Sequence, residues 1–147
     1  MTASLRPANP GDESFLRRLI TETIVLELGA SAWPEPMRSH LVEVQYSGRS
    51  RHSGESFIVE ADAQAAGWLL LQRMPHELRV VEVMIAPELR GQGIGSAALR
   101  QIVATAGTPV SLTVNLTNAA AVRLYERLGF RIVESNEVQH VMWYGSR

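Results

Sequence analysis

Apolar positions return along this chain with two periods. After Asn9 they fall three and four residues apart, at Phe15, Leu16, Leu19, Ile20 and Thr23, which predicts an amphipathic helix with one apolar face. Asn9 can cap that helix, Pro10 suits its first turn, and Asp12 stands where a capping box places its acid; Gly29 is a natural terminator. A second helix is expected from about Pro34 to Tyr46, carried by Met37, Leu41 and Val44, with residues 47–54 as a polar loop. Alternating and continuous apolar runs mark strands at 3–7, 56–61, 65–74, 78–86 and 109–116, with two short ones near 130–134 and 137–144. Helical spacing reappears at 94–106, through Ile94, Ala98, Leu99, Ile102 and Val103, and at 118–130, where Gly129 ends it.

The resulting order is β-α-α-β-β-β-α-β-α-β-β. A three-strand antiparallel meander feeds one β-α-β unit, so the expected class is α+β, a mixed sheet with helices on both faces and a right-handed crossover through 94–106. Internal repeats and low-complexity segments are absent from the pattern.

Composition narrows the function. The 147 residues suit one domain, and 46% hydrophobic content supports a packed core. Net charge is −1 with no basic tract, which argues against nucleic acid. Without cysteine there is no disulfide framework, thiolate metal site or cysteine nucleophile, and the four histidines lack metal spacing. The N-terminal stretch lacks the look of a signal peptide and no run is long enough for a membrane span. The expectation is a soluble cytoplasmic protein with no metal.

Chemistry concentrates in "RGQGIG", Arg90 to Gly95. A strand end, a glycine-rich turn and a helix start together make an anion site, because free amide N–H groups and the helix dipole point at the ligand. A Walker loop needs a lysine that is missing. A dinucleotide fingerprint needs a third glycine where Ser96 stands. The remaining pattern is an arginine or glutamine followed by two spaced glycines, filled by Arg90, Gly93 and Gly95; a turn that only packs helix on strand is the bland alternative.

A second stretch, "NAAAVRLYERLGF" from Asn118 to Phe130, follows "VEVMIAPELRGQGIGSAAL" at a characteristic distance. Together, over roughly residues 65–133, they resemble the GCN5-related N-acetyltransferase (GNAT) superfamily. The resemblance implies a sheet whose central strands splay apart, with acetyl-CoA in the cleft where 78–86 parts from 109–115. It implies that main-chain groups of Val83, Met84 and Ile85 hold the pantetheine arm and that amides of Gly91, Gln92, Gly93, Ile94, Gly95 and Ser96, with Arg90 at the rim, cradle the pyrophosphate. Asn118 matches a position facing the pantetheine or the substrate. Tyr125 matches the tyrosine that protonates the departing thiolate and also borders the donor. The implied reaction is direct acetyl transfer to an amine, without a metal. The family admits a homodimer.

The base is less plain. Glu82, a carboxylate in mid-strand between Val81 and Val83, is out of place in a core and lies beside the implied thioester. Strand alternation turns it away from its neighbours, toward the cleft or toward an arginine such as Arg79; water-mediated proton loss is the alternative. The resemblance implies an acceptor end that draws on Trp33, Glu35, His40, Tyr46, His52, His140, Trp143 and Tyr144, where a lone histidine or aromatic is more often packing than ligand and Glu35 either attracts a cationic amine or only charges a helix's first turn. A small-molecule amine is the leading acceptor, with a protein amine or a purely acyl-CoA-binding module as alternatives.

Overall fold

A computed structural model describes residues 2–25, 27–51 and 53–146; His52 lies outside them. Seven strands form one sheet: β1 Ser4–Pro7, β2 Glu55–Ala61, β3 Gln64–Met74, β4 Glu77–Ile85, β5 Val110–Asn115, β6 Arg131–Ser135 and β7 Gln139–Tyr144. Their spatial order is β1-β2-β3-β4-β5-β7-β6, antiparallel throughout except for the parallel β4–β5 pair. The helices are α1 Glu13–Ile20, α2 Met37–Ser50, α3 Ile94–Thr105 and α4 Ala119–Leu128. The order and the mixed sheet match the expectation from the hydrophobic pattern.

Two cores, one per sheet face, follow from strand alternation. Leu69, Leu71, Val80, Leu112 and Met142 pack with Ala98, Leu99 and Ile102 of α3 on one face. Trp68, Leu70 and Met84 pack with Leu16, Leu19 and Ile20 of α1 on the other. At about 25 cal/mol per Å² of apolar surface removed from water, these two layers dominate the folding free energy. The α1 entry is held as expected. Asn9 accepts from the Gly11 amide at 2.9 Å and Asp12 accepts from the Asn9 amide at 2.8 Å. Asp12 is also gripped by both terminal nitrogens of Arg6 at 2.8 and 2.9 Å, which holds its carboxyl below the usual range.

Two expectations need correction. The single helix to Gly29 is interrupted: Pro10–Asp12 is a 3-10 turn, α1 stops at Ile20, and Thr21–Val25 is a π turn. The second helix does not run from Pro34 to Tyr46. It starts at Met37, after Pro34 and Pro36, and reaches Ser50 through the stretch expected as a loop. The extra turn is closed by polar pairs four residues apart, Ser47 to Glu43 at 3.2 Å and Arg49 to Gln45 at 2.7 Å. Among the described residues no helix is long and apolar enough to cross a membrane.

Candidate active site

Backbone register opens the site. β4 and β5 pair only at Leu78–Val110 and Arg79–Ser111, and beyond Arg79 the two strands part. The edge of β4 that faces β5 is therefore left without a neighbouring strand from Glu82 to Ile85, an arrangement that invites an extended ligand to supply the missing partner. The wedge is a cleft of about 470 Å³, walled by β4, by α4 and by Thr23, Ile24 and Glu27, which follow α1. Next to it, sharing Ile85, Arg90, Gly95 and Leu124, lies a second hollow of about 380 Å³ formed by the glycine loop.

The loop fits an anion. Gly91 and Gly93 both have φ of +80°, a conformation that favours glycine, and Gly93 caps α3 without any side-chain bond. Ala97 is the first amide of α3 to bond back, to the Gly93 carbonyl at 3.0 Å. The amides of Ile94, Gly95 and Ser96 thus have no acceptor within the helix, and the dipole places partial positive charge there. Arg127, on the last turn of α4, lines the same hollow and adds a full positive charge. Arg90 is already engaged: it donates to the Ile85 carbonyl at 3.1 Å and to Glu27 at 3.1 Å, tying the end of β4 to the opposite wall. The Gln92 side chain is exposed and stands outside both hollows, so only its backbone belongs to the turn.

A β-bulge decides where Glu82 goes. Leu70 pairs with Glu82 but Leu71 pairs with Val80, so Val81 is an extra residue in β4. Strict alternation would put Val80, Glu82 and Met84 on one face. Instead Val80 packs in the α3 core with Val83, whereas Met84 and Leu70 belong to the α1 core. Glu82 therefore stands on the α1 side, where it lines the cleft and meets Arg49 of α2 at 3.3 Å. The anticipated Arg79 is not its partner; Arg79 faces Glu77 at 3.7 Å. Burial pushes the Glu82 carboxyl above its ordinary value, Arg49 pulls it back in part, and Glu27 pushes in the same direction as burial.

Tyr125 stands on α4 across the cleft, its ring packed at 6.0 Å from Phe130. No hydrogen bond among the described residues engages its hydroxyl. Burial, and secondarily the charge of Glu82, push its phenol above the ordinary value. Asn118 also borders the cleft, but its side-chain oxygen caps α4 by accepting from the Ala121 amide at 3.2 Å. Of the acceptor-end residues anticipated from sequence and described by the structure, none lines either hollow. Tyr46 packs on Trp68 under Arg17. Trp33 and His40 border an apolar groove on α2. Glu35 pairs with Arg38, His140 with Ser135, and Tyr144 with Phe130. Sequence reasoning missed Thr23, Glu27, Arg49 and Arg127; only Arg127 lay inside a motif where it could have been noticed.

The model of the Acetyltransferase (GNAT) family matches residues 21–130, most of the chain and both hollows. The chain belongs to that family. This acetyltransferase is 26% identical over 149 residues to a spermidine N(1)-acetyltransferase of Escherichia coli (strain K12), an alignment spanning 95% of its length and 77% of the relative's. It is 26% identical over 107 residues to a [Ribosomal protein bS18]-alanine N-acetyltransferase of Salmonella typhimurium, spanning 68% and 72%. Its fold follows that of a PaiA N-acetyltransferase from Thermoplasma acidophilum solved with coenzyme A, at TM-score 0.73 and 17% identity, over 99% of this chain and 100% of the other. It is an acetyl-CoA-dependent N-acetyltransferase.

Proposed function

We propose that the acetyltransferase moves the acetyl group directly to the primary amine of a small molecule, with Glu82 as base and Tyr125 as acid. The observation that carries this reading is the placement of both groups on one cleft, beside the free edge of β4. The amine lone pair forms a C–N bond to the thioester carbonyl carbon, the C–S bond breaks, Glu82 takes a proton from nitrogen and Tyr125 gives one to sulfur. Main-chain groups of Val83, Met84 and Ile85 hold the pantetheine and polarise the carbonyl; the amides from Gly91 to Ser96, with Arg127, take the pyrophosphate.

The two proton services are coupled. While Glu82 is ionised its charge raises the Tyr125 pKa. Once Glu82 holds the amine proton that charge is gone, and Tyr125 becomes the stronger acid when the thiolate leaves. Desolvation also raises the basicity of the thiolate, which favours the transfer.

A small acceptor is favoured because Thr23, Ile24 and Glu27 wall the same cleft as Glu82 and α4, leaving about 470 Å³. The relatives' named acceptors are spermidine, a small polyamine, and an alanine of ribosomal protein bS18. A chain without cysteine needs no oxidising compartment, which supports the cytoplasm. The test is thiol release from acetyl-CoA with putrescine, spermidine, lysine and an alanine-initiated tetrapeptide. Release with a small amine, faster than with the tetrapeptide and with an acetylated product by mass, is the expected result. No release with any of them, while acetyl-CoA still raises the melting temperature, would leave a module that only binds the donor.

A further inference from the structure

Thr23 is a polar residue of the cleft that the reaction above has not used. It is 4% exposed and lines the cleft with Glu82 and Tyr125. Its hydroxyl is buried without a hydrogen-bond partner among the described residues. A helical threonine ordinarily bonds back to the carbonyl four residues earlier, as Thr21 does to Arg17 at 3.0 Å. The π turn over Thr21–Val25 changes that register, and π turns recur at functional positions. An unpaired hydroxyl costs the free protein stability. No hydrogen bond among the described residues holds it in its present rotamer, and rotation about χ1 exchanges hydroxyl and methyl.

We propose that Thr23 determines specificity for primary amines, its hydroxyl oxygen accepting the acceptor's second N–H. The inference rests on Glu82 being the base. A primary amine brings two N–H groups and one lone pair. The lone pair makes the new C–N bond, one proton passes to Glu82, and the other N–H becomes the amide N–H of the product. Held against the wall of the cleft, this remaining N–H needs an acceptor, and Thr23 supplies it. A secondary amine has no second N–H and places carbon against the hydroxyl, leaving it unpaired at the moment of transfer. Sites built to bond an N–H or O–H reject analogues lacking it far more strongly than apolar pockets reject a methylene.

The test compares putrescine with its doubly N-methylated derivative, and an alanine-initiated tetrapeptide with its N-methylalanine form, in wild type, Thr23→Val and Thr23→Ser. Wild type should favour the primary amine by roughly 100-fold or more in kcat/KM. Thr23→Val should cut that preference at least tenfold by losing activity on the primary amine alone, with the acetyl-CoA KM unchanged; Thr23→Ser should restore it. Because valine removes a buried unpaired hydroxyl at constant shape, Thr23→Val should melt no lower than wild type. An unchanged preference, or a Thr23→Val protein that melts several degrees lower, would overturn the inference while leaving Glu82 and Tyr125 in place. A wild type that releases no thiol with either primary amine would instead overturn the reading of the acceptor, and this inference with it.

Discussion

Replacing Tyr125 by phenylalanine is expected to slow turnover by roughly 10²- to 10⁴-fold, the usual contribution of one positioned proton donor. Acetyl-CoA affinity should hardly move. The ring, not the hydroxyl, makes the packing contact with Phe130, and no hydrogen bond among the described residues is lost when the oxygen goes. A loss in kcat with a preserved donor Kd separates removal of an acid from loosening of the helix. The phenol's raised pKa gives the sign of the pH effect. In wild type the hydroxyl stays protonated beyond the ordinary tyrosine range, so activity should persist into alkaline solution and fall only above it. In the variant that alkaline limb should vanish. Equal turnover in the two proteins would remove Tyr125 as the acid.

Glu82→Gln should have the second large effect, again on the order of 10²-fold or more in kcat. The wild-type acid limb reports Glu82 losing its proton. Burial outweighs the pull of Arg49, so its midpoint should lie above the ordinary carboxylate range, and the limb should flatten in the variant. The same substitution removes the charge that raises Tyr125, so the alkaline limb should shift to lower pH. A shift of both limbs from one substitution is a signature that an unconnected surface carboxylate cannot produce. An acid limb unchanged in Glu82→Gln would assign proton removal to water.

The parts of this site that rest on local pattern were legible in the sequence. The glycine turn, the helix carrying Tyr125 and its stop at Gly129 are each written within a dozen residues, where spacing and backbone preference act directly. Parts set by long-range pairing were not. The bulge at Val81 exists only in the register between β3 and β4, and it puts Val80 on the face opposite Glu82, although the two stand only two residues apart. Arg49 lies 33 residues from Glu82 and sits in a polar run that reads as a loop, because α2 buries none of its residues fully. The π turn at Thr21–Val25 likewise carries no local mark; its residues continue an ordinary helical stripe.

The claim on which the chemistry depends is that the donor lies along the free edge of β4 with its pyrophosphate on the glycine loop. Amide hydrogen exchange with and without acetyl-CoA tests it most directly. The expected result is slowed exchange at Val83–Ile85 and from Gly91 to Ser96, with α2 unchanged. Protection that appears on the apolar groove of α2 around Met37 and Leu41, or that leaves the glycine loop untouched, would contradict it.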